Sequence, residues 1–373
     1  MLPLYAAVAH GCQAGRHQEA LDEVYYRRIC RKGKEFSIHN LGAFGADLAA
    51  LANFFAPPWA RPLAELRESS KAFLLIQAAM CLQGMGRLAE AVEPMQAGLE
   101  AYIAQKSWPN AALAASNLCD LSLTLGRLAH ARNYARQGID IADHNACELE
   151  QIICRSYLAL VLFHQGHLIK ARKFFQQAEK IQRQIQPEYP LLYSLGGFWY
   201  CQLLLSLGQY REVQERTAET IEIVRKEHWL IFIALDHLSL GQACLMQVLT
   251  EGSPDFTLAT IQLDQAVMAL RQAGREDFVV LGLLARAGLY RVREDCPHAH
   301  RDLQEAMARA KRGGMALCQA DAHLEYARLY IAQGQPEEAR SHFTTARQII
   351  TDISYHRRDQ EVMDLKSQLR RTP

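Results

Sequence analysis

A short pattern returns along the chain at nearly constant spacing, and it constrains the fold more than any other feature. A glycine is followed by four variable residues and then an anchor residue that opens an apolar-periodic run. The early copies are Gly15-Arg16-His17-Gln18-Glu19-Ala20, Gly86-Arg87-Leu88-Ala89-Glu90-Ala91 and Gly126-Arg127-Leu128-Ala129-His130-Ala131. Later copies set Ala171, Val213 and Ala339 behind Gly166, Gly208 and Gly334, while Ala259 and Ala299 open the same run without the glycine. After a first gap of 71 residues, successive anchors lie 40, 40, 42, 46, 40 and 40 residues apart. A period of this length is the signature of stacked supersecondary units rather than of one growing core.

Four residues after each anchor comes a larger side chain, and three further on a small one, as in Ala171/Phe175/Ala178 and Ala339/Phe343/Ala346. Positions four and seven apart share one face of a helix, so each triplet is a packing stripe. Ahead of the glycines lie other apolar-periodic runs: 72–85, 112–125, 152–165, 192–207 and 320–333. Glycine after such a run can take the left-handed conformation that ends a helix. Each unit is therefore helix, tight turn, helix. The 71-residue gap implies one degenerate repeat with a Pro-rich loop near 35–70, because Pro57, Pro58 and Pro62 forbid a full second helix. There Trp59 is expected to plug the side of the stack, the alternative being a recognition loop that presents Trp59 and Phe55. The 46-residue gap carries a longer loop around Thr250-Glu251-Gly252-Ser253-Pro254, and residues 352–373 are read as a C-terminal capping segment.

A helix, a Gly turn and an Ala-opened second helix resemble the tetratricopeptide repeat, written at about 40 residues rather than 34. The chain departs from that pattern at Arg155, where a first-helix aromatic is usual, and in lacking the proline that ends second helices. The resemblance implies an all-α, right-handed superhelical solenoid of about nine repeats, filling 1–373 as a single domain. Three further segments, Phe54–Pro62, Gln186–Leu195 and Tyr355–Asp359, are similar to C-terminal repeat regions of bacterial STAND signalling ATPases of the NACHT or NB-ARC type. That likeness implies a cytoplasmic sensor arm following a nucleotide switch.

Charge and motif searches narrow the chemistry. With 41 Lys+Arg against 40 Asp+Glu the net charge is +1, which offers no strong field to nucleic acid or to an anionic membrane. Apolar runs fall short of the roughly 18 residues of a membrane span, and the opening Met1-Leu2-Pro3-Leu4 lacks a signal-peptide pattern. The ten cysteines are scattered without a Cys-x-x-Cys pair, as expected of buried thiols in a reducing compartment. Gly33-Lys34 lacks the rest of a phosphate loop, so the likeness to STAND proteins implies an NTPase domain upstream in the same polypeptide. No nucleophile elbow or His-Glu-x-x-His pair occurs. His298 and His300 diverge on the start of a helix, which argues against a metal there. No catalytic residue, cofactor or metal is expected, and the chain reads as a binding protein rather than an enzyme.

Binding residues follow from the register. In this repeat class first helices line the concave face. Counting from each turn glycine puts Gln77, Met80, Ser116, Asn117, Asp120, Ser156, Tyr157, Leu160, Phe198, Trp199, Gln202, Glu325 and Arg328 in the groove. Asn117 and Asp120, one turn apart, suit an extended peptide backbone. Trp199 and Tyr157 suit apolar side chains, with Trp199 and Phe198 alternatively packed between helices. No two-Asn plus Lys/Arg carboxylate clamp is legible across adjacent repeats. Arg27, Arg28, Arg31 and Lys32 form a basic cluster suited to docking an acidic partner domain. Two functions remain: the trigger-recognising arm of a STAND-type switch, or a receptor for a peptide or small inducer. A closed superhelix with an apolar central pocket would favour the receptor, and an open polar groove a protein partner.

Overall fold

The computed structural model describes residues 1–371, and its architecture is all-α. Helix α1 (Leu2–Gln13) is followed by a single turn, α2 (His17–Glu19), that widens into a π-helix over Ala20–Ile29. Two short helices, α3 (Phe36–His39) and α4 (Phe44–Leu51), make up the degenerate unit. Seven pairs follow. They are α5 (Glu68–Gly84) with α6 (Leu88–Ala104), α7 (Trp108–Thr124) with α8 (Leu128–His144), and α9 (Glu148–His164) with α10 (Leu168–Ile185). Next come α11 (Ser194–Ser206) with α12 (Tyr210–Lys226), and α13 (Leu230–Glu251) with α14 (Thr257–Ala273). The last pairs are α15 (Glu276–Val292) with α16 (Cys296–Gly313), and α17 (Ala316–Ala332) with α18 (Pro336–Asp352). A 3₁₀ turn, His356–Arg358, leads into α19 (Asp359–Arg371); the last two residues of the expected capping segment lie outside the described ones. Most paired helices have 17 residues, which absorbs the long period.

The turn chemistry explains the regularity. Gly86, Gly126, Gly166, Gly208 and Gly334 all have φ between +69° and +77°, the left-handed region that side chains avoid. Where the glycine is missing before Ala299, Glu294 takes the same conformation at φ +61°. The second turns, from one unit to the next, are also left-handed but are carried by Lys106, Ala146, His228 and Ser354 as well as by Gly274 and Gly314. Packing stripes are buried as the spacing requires: Ala171, Phe175 and Ala178 are fully enclosed. In the degenerate unit, Phe55 is buried and Trp59 packs edge-on against it at 5.5 Å. All ten cysteines are free thiols. Helix α13 departs from the expectation that every apolar run is too short. By length and composition alone it could cross a membrane, yet it packs between α12 and α14 with over half of that stretch buried.

Beyond nearest neighbours, the two halves of the chain meet. A Cβ built on Gly86 would lie 3.3 Å from Cβ of Glu276, one on Gly126 2.7 Å from Cβ of Ala316, and one on Gly166 3.1 Å from Cβ of His356. In each case a turn of the first half abuts the start of a unit about 190 positions further along, so one superhelical turn rests on the next. Asn40 Nδ2 donates to the carbonyls of Glu227 and His228, both at 2.9 Å. Gly42 approaches the Gln272 and Ala273 carbonyls so closely that a Cβ would sit 2.5 Å from the first. One buried apolar cluster accordingly joins Tyr25, Phe54 and Leu82 to Leu235, Leu263 and Phe278. The groove is thereby narrowed to a chamber, with exposed residues such as Leu113 and Leu149 at its open side.

Candidate functional site

The space inside the coil is divided into two chambers. The larger, about 940 Å³, is walled by the inward faces of α5, α7, α9 and α11, by the N-terminal end of α13, and by the segment around α3. Its lining combines Phe73, Ile76, Met80, Tyr157, Trp199, Trp229 and Phe232 with a few polar groups. That size and mixture match sites for small molecules or peptide segments. The smaller chamber, about 240 Å³, is walled by α7, α9, α11, α13, α15 and α17 and closed by the turn at Tyr355–Arg358.

Between them stands a buried ionic septum. Arg275, at the entry to α15, donates to Asp120 Oδ2 on α7 at 2.6 Å and to both carboxylate oxygens of Asp277 at 3.0 Å. Gln83 on α5 adds a bond to Asp120 Oδ2 at 2.8 Å. The guanidinium also lies over Phe278, whose ring is 6.0 Å from that of Trp199. Burial works against the Arg275 charge, but Asp277 and Asp120 outweigh it and hold the group protonated. Asp120 and Trp199 line both chambers.

Several polar groups of the larger chamber lack a partner in the protein. Gln77 Nε2 donates to Glu35 Oε1 at 2.9 Å, leaving Glu35 Oε2 and Gln77 Oε1 unmatched. Asn117 Nδ2 and Trp199 Nε1 are unmatched donors. A buried polar atom without a hydrogen bond costs about 1–3 kcal/mol, so these atoms mark where a polar partner would be gained. Burial pushes the Glu35 carboxyl up to about 7, against the Gln77 hydrogen bond. Glu35 also sits at φ +48°, a strained backbone for a residue with a side chain. Burial likewise lowers His39 to about 4, aided by the Arg275 charge, so this imidazole is neutral.

Most residues picked from the register line these chambers. Gln77, Met80, Asn117, Ser156, Tyr157 and Trp199 line the larger chamber. Leu160, Phe198, Gln202, Glu325 and Arg328 line the smaller one, with Trp199 and Asp120 shared. Ser116 is the exception. It is fully buried against Cys154, Oγ to Sγ 3.2 Å, because it falls on the side of α7 that packs toward α9. Asp120 is not a free acceptor for a peptide, since Arg275 and Gln83 occupy it. Gln202 Nε2 is engaged by Gln242 at 2.7 Å, and Arg328 bridges Glu325 and Glu361. Of the basic cluster, Arg27 pairs with Glu23, Arg31 covers the Phe36 ring, and Arg28 and Lys32 are exposed outside the chambers. Register counting misses the contributions of Glu35, His39, Trp229, Phe232 and Arg275, which reach the site from outside the first-helix pattern. Among the described residues no cluster of three or more metal-ligating side chains occurs.

No protein-family model matches the chain, and no curated protein matches it in sequence. Among solved structures, it is similar to a Rap protein complexed with competence and sporulation factor, at 12% identity and a TM-score of 0.42, covering 100% of this chain and 98% of that one. It is also similar to the P58(IPK) TPR domain, at 13% identity and a TM-score of 0.28, covering 99% of this chain and 97% of that one.

Proposed function

We propose that the chain is a non-catalytic receptor whose larger chamber holds a peptide segment or a small, mainly apolar molecule. One observation carries this reading: the superhelix closes on itself around about 940 Å³ lined by aromatic and aliphatic side chains. Tyr157, Trp199 and Phe232 supply apolar contact, while the unmatched Asn117 amide and Trp199 indole are donors suited to carbonyl oxygens. Because the walls belong to both halves of the chain, an occupant binds the closed arrangement better than an opened one and shifts the balance between them. In that role the chain would serve as the trigger-recognising arm of a larger signalling protein, such as one with an upstream NTPase domain. The exposed Arg28 and Lys32 would then be a docking face for that domain.

The test is native mass spectrometry after incubation with a random peptide pool. The parent chain should retain peptides, and Met80→Trp, which narrows the chamber beside Phe73 and Gln77, should retain markedly less while keeping its far-UV helicity. Undiminished peptide retention by Met80→Trp would move the site elsewhere.

A further inference from the structure

The smaller chamber has a charge pattern of its own, independent of what the larger one holds. Four carboxylates and three arginines line it. Asp120 and Asp277 are taken by Arg275. Glu325 accepts from Arg291 at 2.6 Å and from Arg328 at 2.9 Å. Asp321 accepts two bonds from Arg358, at 2.8 and 2.7 Å. Glu361, just behind the wall, bridges Arg328 and Arg358. Every lining carboxylate is therefore matched. Among the described residues Arg357 is the one lining cation with no carboxylate or hydrogen-bond partner; its guanidinium only stacks over Phe163, 4.1 Å from the ring centroid.

Arg357 is half-buried, and stacking on one ring face leaves its N–H donors free to meet a group that enters the chamber. Burial lowers the Arg357 pKa and the neighbouring Arg358 charge adds to that, outweighing the pull of Asp321 and Glu361, which Arg358 already engages. Beside it His164 has an unmatched Nδ1, and burial together with Arg357 and Arg358 keeps its ring neutral, so it adds no positive charge of its own. We propose that the smaller chamber is an oxyanion site, in which Arg357, held flat by Phe163 and flanked by His164, binds a carboxylate or phosphate group. A planar guanidinium presents paired N–H donors that fit such groups. The volume of about 240 Å³ admits a small anion or one charged end of a longer molecule.

The experiment titrates the full chain with sodium benzoate, inorganic phosphate or neutral benzamide at constant ionic strength, reading the thermal midpoint and heat of binding. A saturable rise with benzoate alone assigns a carboxylate; a rise with phosphate alone assigns a phosphoryl group; benzamide should be silent. Arg357→Met should weaken the active anion at least tenfold and, without anion, should leave the midpoint in place or raise it, since Arg357 has no ion pair of its own to lose and is repelled by Arg358. A purely structural stacking role would lower that midpoint instead. Absence of any anion-dependent shift in the parent chain, or an equal shift in Arg357→Met, overturns the proposal.

Discussion

At the scale of single residues, burial decides which side chains act and which only pack. Asp236 on α13 is buried and accepts one hydrogen bond, from Thr220 at 3.1 Å, and burial lifts its carboxyl to about 7. The folded chain therefore holds a proton there that the unfolded chain, with a carboxylate near 4, releases between pH ~4 and ~7. Stability contributed at this position falls as pH rises through that window. Asp236→Asn, which keeps an acceptor for Thr220, should be more stable than the parent at pH 8 by on the order of 1–3 kcal/mol. The advantage should shrink toward pH 5; urea midpoints at both pH values check it, and a pH-independent gap would count against this protonation. Burial raises the Asp120 carboxyl too, but Arg275 and Gln83 pull against it and make the group part of an ion-paired septum. Reversal to lysine would set two cations together in the septum and cost about 3–5 kcal/mol, seen as a lowered thermal midpoint. Such a variant would report on folding rather than on ligand capture. The groove register was legible in the sequence because turn glycines fix which face of each first helix looks inward. The partner of Asp120 was not, because Arg275 arrives from 155 residues away along the chain.

At the scale of elements, the helices were readable from the Gly-to-anchor spacing, but their ends were not. Expected first helices began near residues 72, 112 and 152, whereas α5, α7 and α9 begin at Glu68, Trp108 and Glu148. Those opening turns hold polar and mixed residues that periodicity does not mark. The turns between units were hidden for a related reason: Lys106, Ala146, His228 and Ser354 adopt the left-handed backbone without the residue type that signals it. Each bears a steric cost of roughly 1–2 kcal/mol, partly offset by the chain entropy a glycine would lose. Ala146→Gly, at φ +52° on an exposed turn, should therefore raise stability by about 0.5–1 kcal/mol. Chemical denaturation checks it, and a loss of stability would mean the methyl group packs usefully. Inside the stack the reverse holds. Ala171 is fully enclosed, so Ala171→Trp should overpack the α9–α10 junction and cost about 1–3 kcal/mol or more in the same assay.

At the scale of the whole molecule, a solenoid whose units touch only their neighbours would unfold piecewise from its ends. Closure adds long-range contacts that an ordinary repeat array lacks, and no local pattern in the sequence announces them. Gly86 and Glu276 offer a direct test, since Cβ atoms there would be 3.3 Å apart, just under the disulfide range, so a small shift of the left-handed Gly86 turn brings the thiols into reach. Gly86→Cys with Glu276→Cys should cross-link within one chain on oxidation, migrate faster on a non-reducing gel, and slow exchange of any chamber ligand. Failure to cross-link both here and with a short bifunctional thiol reagent would show that the halves stand apart in solution. The same seam limits how such a chain can change over time. Open repeat arrays gain or lose units freely, since any unit can stack on any other. Here, excising one 40-residue unit between Gly86 and Glu276 would leave every remaining helix pair intact yet set each turn opposite the wrong partner, sliding the seam by a whole unit. Tolerated changes of length should therefore collect at the two termini and at exposed loops such as Gly252–Phe256, while the number of units spanned by one coil stays fixed.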